Sequence, residues 1–296
     1  MTIQKQNIGL IGAGLMGSGI AASLLRNNFP LAILQHEGNQ PLAPLLAAGA
    51  ATCDRISKLT DRSDVIIVCV TGTPQVESVL FGDDGVLQSL KPGTFIIDCS
   101  TAIPTSTVKI AQAVKEAGGR FLDAAMTRTP KEAAEGRLNL IVGAETSDFE
   151  ACLPILQAYA EHIVHAGPVA AGHQMKLLHN YVSLGFSAVL AEAAACARHA
   201  GVDPRVFCEV LANGGGGGVV LERLRPYIEH GDVGNFRFSL ANAHKDLDYY
   251  CTMASEMDGE VAVAEAIRDL YAKANYAGLA QAPVPQIVDH LYENQS

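Results

Sequence analysis

Seven short runs of aliphatic and β-branched residues punctuate the chain up to residue 167: 7–12 (NIGLIG), 31–35 (LAILQ), 64–70 (DVIIVCV), 94–100 (TFIIDCS), 120–126 (RFLDAAM), 138–144 (LNLIVGA) and 162–167 (HIVHAG). Several are apolar throughout instead of alternating. A strand that is apolar on both sides is covered on both sides, which is the habit of parallel sheets. Helical segments fall between the runs. One of them opens with Ser147 and Glu150, spaced as a capping box ahead of FEACLPILQAYA. The alternation predicts a Rossmann-type α/β domain with a doubly wound, mostly parallel sheet.

Past residue 168 the strand signals stop. Residues 172–200 form a long, nearly all-apolar helical stretch, and Asp203-Pro204 reads as an N-cap followed by a first helical residue. Stretches 219–230, 239–257, 261–277 and 284–293 also have helical spacing. The chain therefore divides into an α/β domain, 1–168, and an all-α domain, 169–296, joined by the long helix. Five consecutive glycines at 214–218 cannot hold a helix without a large entropic cost, so they fall between two helices.

Composition narrows the function. The 296 residues are 49% hydrophobic and 18% charged, with a formal charge of −10. That balance argues against a nucleic-acid or anionic-membrane surface, both of which need basic patches. The longest uncharged run, 177–191, is short and contains His179, Asn180, Ser183 and Ser187, so no membrane span is expected. Residues 2–14 lack the pattern of a signal peptide. The seven cysteines are scattered, with no CxxC pair, and read as buried, reduced thiols of a cytoplasmic protein. His162 and His165 form an H-x-x-H pair without accompanying acids or cysteines, so no metal site is expected.

The first predicted strand runs straight into GAGLMG, with Gly12, Gly14 and Gly17, and a helix follows. In that context each glycine has a task. Gly12 permits the turn, Gly14 lets backbone approach a pyrophosphate, and Gly17 lets helix and strand pack closely. The expected ligand is NAD or NADP. After the second strand an acid usually grips the ribose hydroxyls of NAD, whereas an Arg accommodates the phosphate of NADP. Here Gln35 stands in that position, followed by His36 and Glu37. Glu37 repels a phosphate and His36 attracts one; the balance leans to NAD.

A single formal charge, Lys176, lies between Glu161 and Glu192. An ammonium among apolar residues either reaches water with its head while its stem packs, or has a task.

Several motifs occur together in order. They are GLIGAGLMGSGIA at the start, DCSTAIP at 98–104, LDAAMTRTPKEAAEGRLNLIVGA at 122–144, AGHQMKLLHN at 171–180 and AHKDLDYY at 243–250. The set resembles the β-hydroxyacid dehydrogenases, the family that contains 3-hydroxyisobutyrate dehydrogenase, tartronate semialdehyde reductase and sulfolactaldehyde reductase, over nearly the whole chain. The resemblance implies a hydride transfer between NAD(P) and a small β-hydroxy acid or its semialdehyde. Lys176 would be the general acid/base for the substrate oxygen, with Asn180 one helical turn on and on the same face. Gly12, Gly14, Leu15, Met16, Gly17, Gln35, His36, Val70, Thr71, Gln75, Thr101 and Lys245 would contact the cofactor. Ser100, Thr127, Arg128 and Thr129 would join Lys176 and Asn180 around the substrate.

The chain departs from the family pattern in two places. His179 takes the first slot of the usual Asn-Asn pair and reads as a core histidine. Thr127-Arg128-Thr129 replaces the usual S-G-G; sulfolactaldehyde reductases resemble this with G-R-T. A guanidinium flanked by hydroxyls suits a carboxylate or sulfonate, so the substrate is expected to be a small anion, although Arg128 could instead pair with Glu132 or Glu135. Imine reductases, which usually replace the lysine, and non-catalytic NAD(P)-binding modules are the competing classes. The long apolar helices point to a homodimer or homotetramer.

Overall fold

The computed structural model describes residues 6–293; part of the segment 2–14, where no signal-peptide pattern is expected, and the last three residues lie outside that range. The chain forms two compact units, Met1–Lys176 and Leu177–Ser296.

In the first unit strands and helices alternate: β1 (Ile8–Ile11), α1 (Leu15–Arg26), β2 (Leu31–Leu34), α2 (Ala43–Ala47), β3 (Ala51–Cys53), α3 (Ile56–Thr60), β4 (Val65–Val68), α4 (Thr73–Phe81), β5 (Phe95–Asp98), α5 (Pro104–Glu116), β6 (Arg120–Thr127), α6 (Pro130–Glu135), β7 (Leu138–Gly143), α7 (Thr146–Leu156), β8 (Ala160–Gly167) and the start of α8 (Ala171–His199). The strands form one sheet in the order β3-β2-β1-β4-β5-β6-β7-β8. Every pairing is parallel except β6 with β7.

The apolar runs are buried on both sides, as their composition requires. Leu10, Ile33, Ile67, Ile97 and Leu122 meet Ile20 and Leu24 of α1 in one core. Ile11, Ile66, Val68, Ile96 and Phe121 meet Val76 and Leu80 of α4 and Ile110 and Val114 of α5 in the other. One row of the ladder crosses six strands: Ile11, Val68, Asp98, Asp123, Gly143 and Gly167 are successive register partners. The turns that leave β1, β4 and β5, and the approach to α8, all begin just past this row.

Three expectations are corrected. An eighth strand, β3, has only three residues and lies at the sheet edge, with Ala51 exposed, so it carries no apolar run to detect. The capping box at Ser147 and Glu150 does not form. Helix α7 starts at Thr146 with Glu145 as its N-cap, two residues ahead of the expected cap, and has no side-chain cap; the Ser147 hydroxyl instead lies beside the Arg120–Asp148 ion pair. Cys196 is exposed rather than buried.

The second unit is helical, with the rest of α8, α9 (Pro204–Ala212), α10 (Val219–His230), α11 (Leu240–Glu256), α12 (Ala262–Ala274) and α13 (Ile287–Glu293). Its core gathers Leu184, Ala191, Leu221, Leu224, Leu240, Leu247, Tyr271 and Ile287. Asp203 caps α9 by accepting from the Arg205 and Val206 N–H groups. The glycines at 214–218 lie between α9 and α10, as their backbone entropy dictates. Helix α8 has the length and composition of a membrane-crossing segment, yet half of its most apolar window is buried within the protein.

Gly12 has φ +95°, and a Cβ on Gly17 would come within 1.9 Å of the Gly12 carbonyl oxygen. A Cβ on Gly14 would meet nothing within 4 Å. Gly17→Ala therefore forces α1 off the sheet, at a cost of about 2 kcal/mol or more. The expected fall in Tm is roughly 4–8 °C by differential scanning calorimetry. Gly14→Ala is expected to stay within about 2 °C of the natural protein.

Candidate active site

The sheet order reverses between β1 and β4, and ligands of open α/β sheets bind at the carboxyl ends of the strands on either side of such a reversal. The Gly12–Gly17 turn leaves β1 there. Helix α1 has Gly14 as N-cap and no side-chain cap, a helix start suited to a pyrophosphate. Leu15 is exposed and Met16 half-buried on its first turn. Asn39, a residue the sequence reading passed over, laces this turn to the end of β2. Its Oδ1 accepts from the Ala13 N–H (3.1 Å) and its Nδ2 donates to the Leu34 carbonyl (2.8 Å). The only cue was an Asn in a polar turn, G-N-Q, which is the usual setting for side-chain-to-backbone bonds.

Gln35, His36, Glu37, Asn39, Gln40 and Leu42 line a depression of about 420 Å³ beyond β2. His36 Nδ1 accepts from the Gly38 N–H at 3.0 Å. The proton of the neutral ring therefore sits on Nε2, which is left as the donor.

Past β4 and β5 the chain is tied across the two strand ends. The Val70 N–H donates to Ser100 Oγ (3.0 Å), and the Ser100 N–H donates to Asp98 Oδ1 (2.9 Å). Ser100 is buried, so its hydroxyl already has a structural task at this position. Thr101 follows, half-buried; Thr71 and Gln75 are exposed at the start of α4. The fold thus brings the predicted cofactor residues of the first unit to one edge of the sheet.

Lys176 is half-buried in the second turn of α8. Asn180 is buried one turn later. Its Nδ2 donates to Asp246 Oδ2 at 2.6 Å, and Lys245 Nζ lies 2.9 Å from the other oxygen of that carboxylate and 4.9 Å from the centre of the Tyr249 ring. Asp246 is itself buried. His179 is exposed, which corrects the core reading. Its Nδ1 lies 2.9 Å from Asn180 Oδ1. With Nδ2 facing a carboxylate, Oδ1 is the acceptor, so His179 donates. The Asn180 carboxamide is held from both ends. The signal for Asp246 was its place on the buried stripe of α11, in register with Ala243, Leu247 and Tyr250.

Beyond β6, Arg128 has φ +80°, a left-handed conformation that glycine adopts freely and that costs other residues about 1 kcal/mol or more. This is where the family pattern has a glycine. The Arg128 guanidinium donates to the Glu161 carboxylate and to the Arg137 carbonyl, which makes Glu161 the partner instead of Glu132 or Glu135. The hydrogen bond from Arg128 holds the Glu161 carboxyl below the usual range. Thr129 caps α6 in a full capping box with Glu132, whose carboxyl is lowered by that bond. Thr127 ends β6 opposite Asn139.

Other reactive groups stand apart. His165 stacks on Phe149 and bonds the Ala144 carbonyl, and His162 is exposed. Burial pushes the thiols of Cys69 and Cys152 up to about 12 and that of Cys208 to about 11, which keeps them protonated and inert. Among the described residues no group of three or more His, Cys, Asp or Glu is placed to hold a metal.

Comparison with known proteins agrees with this arrangement. Residues 7–167 match the NAD binding domain of 6-phosphogluconate dehydrogenase, and residues 170–291 match the NAD-binding domain of NADP-dependent 3-hydroxyisobutyrate dehydrogenase. The chain is 34% identical to 2-(hydroxymethyl)glutarate dehydrogenase of Eubacterium barkeri, over 81% of this chain and 79% of that protein. It is 28% identical to 3-sulfolactaldehyde reductase of Escherichia coli, over 92% and 91%. A crystal structure of 3-hydroxyisobutyrate dehydrogenase from Salmonella typhimurium superposes with a TM-score of 0.83 at 25% identity, covering 96% of this chain and 99% of that one. With the glycine turn at the sheet reversal and the Lys176–Asn180 pair on α8, these matches establish that the chain belongs to the β-hydroxyacid dehydrogenase family and binds NAD or NADP.

Proposed function

We propose that the protein transfers hydride between NAD(P) and a small β-hydroxy acid or its semialdehyde, with Lys176 as the proton carrier. One observation carries this reading: a half-buried lysine shares a helix face with an asparagine whose carboxamide is fixed by Asp246 and His179. When hydride leaves the carbinol carbon, the hydroxyl proton must leave as well; in reverse, alkoxide charge needs a donor. A bound nicotinamide supplies the hydride acceptor or donor. Lys176 Nζ takes or returns the proton, and the Asn180 amide, unable to turn, orients the same oxygen. Lys245, held on Asp246, is the second lysine we assign to the cofactor.

The cofactor cradle comprises Gly12, Gly14, Leu15, Met16, Gly17, Val70, Thr71, Gln75 and Thr101, with Gln35 and His36 at the ribose. The absence of a Cβ at Gly14 and the uncapped start of α1 support a pyrophosphate there. The exposed carboxylate of Glu37 beside Gln35 favours NAD over NADP, since a 2′-phosphate would meet like charge.

We assign Arg128 to the carboxylate or sulfonate of the substrate, with Thr127 and Ser100 nearby. Its strained backbone and its exchangeable, solvent-reached bond to Glu161 support this role. The 169–296 region is the substrate and oligomerisation domain in this reading. Leu178, Val182, Phe186 and Val189 form an exposed apolar stripe along α8, the kind of surface that self-association covers. We infer a homodimer or homotetramer that buries it. The free cysteines support a reducing, cytoplasmic setting as part of this reading.

Lys176→Ala is expected to lower kcat by about 1000-fold or more while NADH binding, read by fluorescence titration, changes by less than about threefold. Steady-state assays over hydroxy acids, hydroxysulfonates and their aldehydes should show a lower KM for NAD(H) than for NADP(H). Arg128→Ala is expected to raise KM for the anionic substrate by roughly 10- to 100-fold, and to leave a neutral analogue nearly unaffected; equal effects on both would remove the anion assignment. Val182→Asp should shift sedimentation toward the monomer.

A further inference from the structure

The first turn of α8 rests on a carboxylate that no part of the mechanism has used. Asp123 lies in the middle of β6, fully buried, in the register row that includes Asp98 and Gly143. Its Oδ1 accepts from the Ala170 N–H and its Oδ2 from the His173 N–H, each at 2.7 Å. These two donors lie where a helix begins and would otherwise be orphaned, and a negative charge there meets the favourable end of the helix dipole. Burial pushes the Asp123 carboxyl up, while His173 and the two N–H bonds oppose the shift.

Two glycines make room for it. A Cβ on Gly143 would come within 2.5 Å of Asp123 Oδ1, and a Cβ on Gly172 within 2.7 Å of Oδ2. Ala170, also buried, holds a left-handed φ of +78° while it donates to the carboxylate. A strained, non-glycine backbone persists only where its surroundings over-determine it. The same turn is tied on its other side. His173 Nδ1 lies 2.7 Å from Thr107 Oγ1 of α5, and that hydroxyl in turn bonds the Ile103 carbonyl.

The geometry points to Asp123 as a positioning residue for Lys176: its carboxylate fixes the axial and rotational start of α8, and so the place where the amine three residues beyond His173 is presented. It acts on the reaction only through Lys176, and the inference rests on that assignment. A lysine displaced by about 1 Å can lose roughly 100-fold in rate without any change in ligand binding.

Asp123→Asn keeps the size but gives one of the two N–H groups an amide nitrogen that cannot accept. The expected result is a kcat lowered by about 100-fold with KM values for coenzyme and substrate within about threefold. Amide exchange at Ala170 and His173 should accelerate. Gly172→Ala pushes the same turn from the opposite side and should reproduce the kcat-selective loss. Because Asp123 works through the amine, the double variant Lys176→Ala/Asp123→Asn should be no slower than Lys176→Ala alone.

A folded Asp123→Asn protein with natural kcat overturns the proposal. Losses that multiply in the double variant, or a loss of coenzyme binding and cooperative melting in step with kcat, also overturn it, by making Asp123 a stability residue. Full turnover in Lys176→Ala would sink the parent assignment alone, while the exchange of the two amides still reports on the anchor.

Discussion

The first turn of α8 is fastened to the sheet by a buried carboxylate, and the chemistry proposed for this chain depends on where that turn begins. Asp123 accepts the Ala170 and His173 N–H groups, and Lys176 and Asn180 follow one and two turns later on the same helix. The register row that passes through Asp123 also passes through Ile11, Val68 and Asp98, the last residues of β1, β4 and β5. Sheet register therefore sets the Gly12–Gly17 turn and the start of α8 to a common reference line. Removing water from around the carboxylate is costly, and the nearby His173, the two short backbone bonds and the place at a helix start offset that cost.

One of the left-handed non-glycine residues, Arg128, stands where the chain departs from the family pattern. Arg128 adopts a backbone conformation suited to glycine and places its guanidinium on Glu161. His179, in the slot of a usual asparagine, supplies one donor to Asn180. That contact and the bond to Asp246 hold the carboxamide at both ends.

Much of the fold is readable because burial on both faces leaves unbroken apolar runs, which mark seven of the eight strands; in the second unit helical spacing marks most helices and the Asp203-Pro204 cap marks the start of α9. The edge strand β3 escaped because Ala51–Cys53 is short and half-open to solvent. A capping box was read at Ser147, whereas the one that forms is at Thr129 and Glu132; local spacing does not reveal that Arg120 diverts Asp148 beside Ser147. At the site, Lys176 and Asn180 could be found from their contrast with apolar neighbours. Asp123 carried the same contrast, an acid inside RFLDAAM, but its partners Ala170 and His173 are backbone groups about fifty residues away and invisible to side-chain pattern. The Arg128–Glu161 pair was hidden for a related reason. Only the register of β6, β7 and β8, with Thr127 opposite Asn139 and Asn139 beside His162, brings them together.

In the proposed reaction the Lys176 amine exchanges a proton with the substrate oxygen, and chemical rescue measures that most directly. In Lys176→Gly, small primary amines added to the assay should restore turnover in a saturable manner, with rates that rise or fall systematically with amine basicity, and guanidinium or tetramethylammonium at the same concentration should not. Turnover in Lys176→Gly that matches the natural protein without added amine would contradict the account.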